Sequence, residues 1–238
     1  MRVAALQLAH HFGQPERALA AADRLLTDAG PVDLALLPEA CLTGYVSTSG
    51  DFDLTAQAEP LDGPSFGRLA ALARQHTTTL VAPLIERAAD GRCHNAYVVL
   101  DPTGSLVAHY RKRHPWFPEE WATAGDAPYP RLHVAGRSLT LAICFDIHFV
   151  SDEAGELLDE VDVLLFPSAW VDDRRPTDTR SDILPALATR HRIAIVNANW
   201  ARSAPRLPGQ GGSRILDPRG LPLATAPGDA ACAVVASV

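Results

Sequence analysis

Three side chains that could together catalyse a nucleophilic reaction occupy equivalent places in the sequence. Glu39, Lys112 and Cys144 each stand at the end of a predominantly apolar run that is typical of a buried strand. α/β proteins build their sites at the carboxyl ends of strands, because these ends lie together at one edge of a sheet. The sequence therefore predicts that an acid, an amine and a thiol meet in one site.

A thiol that attacks an amide carbonyl requires a base, a donor to the developing oxyanion and a proton for the departing amine. Glu39 is the candidate base. Lys112 is the candidate cation that stabilises the tetrahedral intermediate, and its positive charge also favours the thiolate form of Cys144. The backbone N–H of Phe145, directly after the thiol, is a candidate second donor. This mechanism requires no cofactor, and we expect none.

The elements that must position these residues alternate between short apolar runs and amphipathic stretches. Candidate strands cover residues 2–8, 33–37, 79–85, 95–101, 105–110, 137–143, 162–166 and 193–198, and candidate helices cover 15–29, 64–76, 152–159 and 179–191. The turn sequences at Asp101–Gly104 and Asp217–Gly220 each predict a hairpin or a β-turn. The pattern indicates an α/β fold with partly antiparallel sheets and helices on their faces.

No linker-like stretch divides the 238 residues, so we expect a single domain over 1–238. The longest irregular segments are 41–63, 113–130 and 201–212, and each follows a candidate strand. Loops of this length in a compact chain often form the walls of a functional site. Pro185 is expected to kink the last helix unless that helix begins near it.

Composition argues against several classes of function. The net charge of −7 and the pI near 5.7 disfavour non-specific binding of nucleic acid. Neither a signal peptide nor a membrane span is visible at the amino terminus. Cysteines 41, 93, 144 and 232 lie far apart, which fits a reducing cytoplasm, and His10–His11 lacks metal-type spacing, so no metal is expected.

The segments around the three candidate residues resemble those of the nitrilase, or carbon–nitrogen hydrolase, superfamily. Leu36–Tyr45 is similar to its glutamate segment, Tyr110–His114 to its lysine segment, and Leu141–Asp146 to the nucleophile segment of its amidase-like branches. Further similar segments occur in the same order along the chain, at 3–7, 165–170, 196–199 and 212–220.

The resemblance implies a four-layer α-β-β-α sandwich and hydrolysis of a non-peptide C–N bond. It also implies a second glutamate that supports the lysine, for which Glu120 is favoured and Glu119 is the alternative. A homodimer or larger homo-oligomer is expected on the same basis. The chain departs from the family after the nucleophile, where His148-Phe149-Val150 replaces an Arg-Phe-Pro-Glu sequence. It also departs at 187–191, where Arg190-His191 replaces Glu-Asn.

The leading functional hypothesis is a hydrolase of a small linear amide that releases ammonia or an amine. Tyr45, Trp116, Trp170 and His148 are candidate substrate-binding residues, although His148 could simply fill space. Phe117 and Trp121 also lie beside the motifs.

Several alternatives stay open at this point. An N-carbamoyl amino acid or amine amidohydrolase would use the same chemistry, whereas Phe145-Asp146 disfavours the nitrile-cleaving branch. A catalytically silent binding protein would have lost a catalytic residue, and none is lost. An unrelated hydrolase pairing Cys144 with a histidine would leave Glu39 and Lys112 without a role.

Overall fold

The computed structural model describes residues 1–171, 179–203 and 208–238. The described residues form twelve strands: β1 (Arg2–Gln7), β2 (Leu34–Leu36), β3 (Thr79–Arg87), β4 (Cys93–Leu100), β5 (Leu106–Arg111), β6 (Leu132–Val134), β7 (Arg137–Leu141), β8 (Val163–Pro167), β9 (Ala194–Ala198), β10 (Arg214–Leu216), β11 (Pro222–Thr225) and β12 (Cys232–Ser237). They also form five α-helices: α1 (Pro15–Ala29), α2 (Pro64–His76), α3 (Val150–Glu153), α4 (Gly155–Glu160) and α5 (Arg180–His191).

The strands form two six-stranded mixed sheets. The first has the order β12-β1-β2-β3-β4-β5, and the second has the order β11-β10-β9-β8-β7-β6. Parallel pairs occupy the middle of each sheet, β1-β2-β3 in the first and β7-β8-β9 in the second. Antiparallel pairs complete the edges, so the prediction of partly antiparallel sheets is confirmed.

The alternation of side chains along each strand separates two apolar layers. In β1, Val3 and Ala5 belong to the core between the sheets, whereas Ala4 and Leu6 belong to the core beneath α1 and α2. On the other side, α4 and α5 contact the second sheet. The order of layers is therefore α-β-β-α, which confirms the expected sandwich.

The predicted elements agree closely with the structure where the pattern is long. Helices α1, α2 and α5 are found within one residue of the predicted bounds, and α5 passes continuously through Pro185. The predicted helix 152–159 is divided into α3 and α4. The sequence analysis does not predict β6, β10, β11 or β12. Of these, β6, β10 and β11 are only three or four residues long. At this length, periodicity carries little information.

Both predicted turns are present, each closed by a backbone hydrogen bond. Gly104 N donates to Asp101 O at 2.8 Å, and Gly220 N donates to Asp217 O at 2.9 Å. Of the three long segments, 204–207 of the third lies outside the described residues. In the part of the chain that the structure describes, no helix is long and apolar enough to cross a bilayer.

Gly125 holds the segment after Lys112 against the end of β5. Its N–H donates to Lys112 O at 2.8 Å. A Cβ atom at this position would lie 2.3 Å from Arg111 O, which is far inside van der Waals contact. Only glycine permits this close approach.

We predict that Gly125→Ala destabilises the protein by about 1–3 kcal/mol, because the segment must move away from Arg111. The matched control is Gly67→Ala in the exposed part of α2, where an added Cβ meets no atom within 4 Å. That substitution should stabilise the protein by about 0.5–1 kcal/mol. Urea unfolding measures both, and equal effects of the two variants would contradict this account of Gly125.

Candidate active site

Lys112 lies between two buried carboxylates at the end of β5. Its Nζ donates to Glu39 Oε1 and to Glu119 Oε2, each at 2.7 Å. Lys112 is 1% exposed, Glu39 0% and Glu119 2%. A charge at this depth is strongly unfavourable unless it is paired and hydrogen-bonded, and these two partners provide both.

Asn95 on β4 bridges the same two carboxylates. Its Nδ2 donates to Glu39 Oε1 at 2.8 Å and to Glu119 Oε1 at 2.7 Å, and its backbone carbonyl accepts from Lys112 N at 2.8 Å. Our sequence reasoning missed this residue. The signal that was present is an amide side chain inside the otherwise largely apolar run 93–100, because a buried polar group normally has a specific partner.

Glu39 connects the two sheets. It follows β2 of the first sheet, and its Oε2 accepts from the backbone N–H of Ala169, which follows β8 of the second sheet, at 2.9 Å. The Glu39 carbonyl accepts from Trp200 Nε1 at 2.8 Å. The carboxyl ends of strands from both sheets therefore meet at this residue.

Cys144 follows β7 and begins a 3₁₀ helix, Cys144–His148, with its backbone in the left-handed region at φ 44°. Burial raises the pKa of the Cys144 thiol well above its ordinary value, and the charge of Glu39 raises it further. The Lys112 charge and a hydrogen bond from the Ala169 N–H lower it, as expected of a nearby cation, but burial prevails. The resting thiol is therefore protonated at neutral pH.

Glu39 hydrogen-bonds Lys112, and both residues lie close enough to Cys144 for their charges to act on its thiol. Burial opposes the positive charge of Lys112, but Glu119 and Glu39 together more than offset this and raise its pKa. Burial and the charge of Glu39 raise the pKa of Glu119, whereas Lys112 lowers it. The site holds two acids and one permanent cation out of contact with bulk water.

The preference for Glu120 as the supporting glutamate is wrong in position. Glu119 contacts Lys112, and its Oε2 also accepts from Trp116 N at 2.6 Å. Glu120 is exposed. Glu119 N donates to Trp116 O at 2.7 Å and closes a tight turn. This turn directs the side chain of Glu119 inwards and that of Glu120 outwards.

A cavity of about 410 Å³ opens beside the thiol, a volume typical of small-molecule sites. It is lined by Trp116, Phe117, Cys144, Phe145, His148, Ala169, Trp170, Val171, Thr179 and Gln210. Three of the four predicted substrate-binding residues, Trp116, Trp170 and His148, therefore line it. Burial lowers the pKa of His148, so its imidazole is neutral at neutral pH.

The fourth predicted substrate-binding residue, Tyr45, is corrected to a position behind the cavity wall. It is buried and stacks on Trp116 with ring centroids 6.2 Å apart. Its pKa is raised by burial and by the charges of Glu119 and Glu39. Tyr45 therefore supports Trp116 and does not line the cavity.

The backbone N–H of Phe145 has no hydrogen-bond acceptor within the described residues. It lies next to the thiol, and its role as an oxyanion donor stays a prediction. Across the same described residues, no three histidine, cysteine or acidic side chains cluster as metal ligands would.

The family model described as "Carbon-nitrogen hydrolase" matches residues 2–237. A Pseudomonas protegens protein named "Hydrolase in pqqF 5'region" is 31% identical over 84% of this chain and 69% of its own length. The deaminated glutathione amidase of Escherichia coli O157:H7 is 29% identical over 82% of this chain and 74% of its own length. The chain therefore belongs to the carbon–nitrogen hydrolase family.

The fold of this chain is similar to that of solved amidases of the nitrilase superfamily. A cysteine-to-alanine mutant of the Nesterenkonia AN1 amidase superposes with a TM-score of 0.88 at 26% identity, covering 100% of this chain and 90% of that one. A glutamate-to-glutamine mutant of the same amidase has a TM-score of 0.86 at 26% identity, with the same coverage. That structure carries the acetamide moiety of fluoroacetamide bound covalently to its active-site cysteine.

We predict that Glu119→Gln lowers the free energy of unfolding by roughly 1–3 kcal/mol. The partners of Glu119 are all donors, so an amide nitrogen in its place leaves one of them unpaired. Glu120→Gln, one residue away and exposed, is the matched control and should change stability by less than about 0.5 kcal/mol. Urea unfolding measures the free energy of unfolding of both variants. A larger loss in the Glu120 variant would contradict the assignment of Glu119 as the glutamate that supports Lys112.

Proposed function

We propose that this protein hydrolyses small linear amides through a thioester on Cys144. The observation that carries this proposal is the Lys112 ammonium, held 2.7 Å from Glu39 and from Glu119 beside a buried thiol. Membership of the carbon–nitrogen hydrolase family supports the reaction class. Relatives named amidases, among them an (R)-stereoselective amidase of Pseudomonas sp. at 27% identity over 92% of this chain, support an amide as substrate.

In the first step the Cys144 sulfur attacks the amide carbon. Because the thiol is protonated at rest, Glu39 takes its proton as the S–C bond forms. The carbonyl oxygen becomes an oxyanion, which the Lys112 ammonium and the Phe145 N–H stabilise. Deprotonation coupled to attack means that no thiolate has to accumulate beside the Glu39 charge.

In the second step the C–N bond breaks and Glu39 returns the proton to the departing nitrogen, which leaves as ammonia or an amine. A water molecule then attacks the thioester, and Glu39 takes one of its protons. The C–S bond breaks, the proton returns to sulfur, and a carboxylic acid is released. Glu119 and Asn95 keep Lys112 charged and in place throughout.

The residues that line the cavity favour a small substrate with an uncharged acyl group. Aromatic rings of Trp116, Phe145 and Trp170 form much of its wall, with Gln210 and the neutral His148 as polar groups. None of the described lining residues carries a formal charge. The aromatic rings of this lining favour substrates with an aliphatic acyl group.

The test is an assay for released ammonia with aliphatic amides, ω-amides of dicarboxylates, N-carbamoyl amino acids and amines, and nitriles. We expect aliphatic amides to be hydrolysed and Cys144→Ala to abolish turnover of every active substrate. Glu39→Gln should slow acylation. Cys232→Ala, which removes a half-buried thiol on β12, is the matched control and should retain full activity.

Two results would change the proposal. Full activity of Cys144→Ala on the best substrate would refute the thioester mechanism. Preference for N-carbamoyl compounds would keep the mechanism but transfer the substrate assignment to the carbamoyl branch.

A further inference from the structure

Asp146 is a completely buried carboxylate two residues after Cys144, and the mechanism above does not use it. Its Oδ1 accepts from His114 N at 2.8 Å. Its Oδ2 accepts from Ile143 N at 3.1 Å and from the Tyr110 hydroxyl at 2.9 Å. All three partners are donors, and such a set matches an ionised carboxylate and no other side chain of this size.

These three bonds join the segments that carry the two reacting groups. Tyr110 and His114 stand two residues before and two residues after Lys112, and Ile143 directly precedes Cys144. One carboxylate therefore fixes the end of β5 to the turn after β7, across about thirty residues of sequence.

The turn that Asp146 closes has an unfavourable backbone at its centre. Cys144 has φ 44°, in the left-handed region that non-glycine residues rarely adopt and that persists only when the surroundings hold it. Two bonds span this residue, Ile143 N to Asp146 Oδ2 at 3.1 Å and Asp146 N to Ile143 O at 3.0 Å. The direction in which Cys144 presents its sulfur depends on this closed turn.

Burial raises the pKa of Asp146 to about 6, although the Lys112 charge and the hydrogen bonds from His114, Ile143 and Tyr110 lower it. The carboxylate is therefore mostly ionised at neutral pH. The charged form costs stability at this depth, and the three donors are what offset that cost.

We propose that Asp146 is the positioning residue that holds the Cys144 sulfur in register with the Lys112 ammonium. It is not among the residues that line the cavity, and it acts through its hydrogen bonds to His114, Ile143 and Tyr110. This inference rests on the proposed function. It assigns a task to the aspartate of the Cys-Phe-Asp sequence that is separate from base, cation and nucleophile.

The test is Asp146→Asn. In either orientation its amide places an NH₂ group against a donor, so the link between the two segments is broken on one side. We expect kcat on the best amide to fall by about 10²-fold, as for other small displacements of reacting groups. KM should stay within about twofold, because Ala169, Trp170 and Gln210 line the cavity from segments that Asp146 does not hold.

Two further variants complete the experiment. Tyr110→Phe removes a single donor and keeps both backbone bonds, so kcat should fall between about twofold and tenfold. Asp217→Asn is the matched control, since Asp217 closes a turn between β10 and β11 by accepting from Arg219 N and Leu221 N. It should lose stability without losing kcat.

Wild-type kcat in a folded Asp146→Asn protein would overturn the proposal, as would an equal loss of kcat in Asp217→Asn. If Asp146→Asn does not fold, as judged by circular dichroism, an unchanged kcat in Tyr110→Phe overturns it instead. Any of these results would leave the proposed function standing, provided that Cys144→Ala is inactive. A wild-type protein that hydrolyses no amide would refute the proposed function itself.

Discussion

A buried ammonium ion between two buried carboxylates is the interaction on which the site depends. Lys112 has no access to bulk water, and an unpaired charge there would cost far more than a folded domain can spare. Glu39 and Glu119 each bond it at 2.7 Å. Because two acids outnumber one cation, Asn95 is required as a further donor to both. The loss of any one of these four groups removes a hydrogen-bond partner from at least one of the others.

The need to pair the buried charge of Lys112 explains why strand ends of the two sheets lie next to each other. Lys112 and Asn95 come from antiparallel neighbours of the first sheet, and Glu39 follows its parallel centre. The second sheet supplies Cys144 at the end of β7 and the Ala169 N–H that bonds Glu39 at 2.9 Å. Strand ends from both layers therefore complete a single network. The apolar core between the sheets excludes water, which strengthens every charge interaction in that network.

The sequence predicts the parts of this arrangement that depend on local pattern. Glu39, Lys112 and Cys144 could be found because each follows a strand, and strand ends meet at a sheet edge. Asn95 is recognisable only as an amide inside a largely apolar run, and its partners follow from the register of β4 against β5, which no single segment reveals. Glu119 and Glu120 are adjacent acids, and only the turn at Trp116 determines which one faces inwards. Tyr45 lies behind Trp116 for a similar reason, since ring packing is a tertiary property.

The most direct test of the account is the pH dependence of alkylation of Cys144 by iodoacetamide, followed by mass spectrometry of its peptide. Burial and the Glu39 charge raise the pKa of this thiol, so the alkylation rate of the wild type should still be rising above the ordinary pKa of cysteine. Glu39→Gln removes the anion and should shift the profile to lower pH, whereas Glu120→Gln should not. Identical profiles for the wild type and Glu39→Gln would show that carboxylate and sulfur do not meet, and would contradict the account.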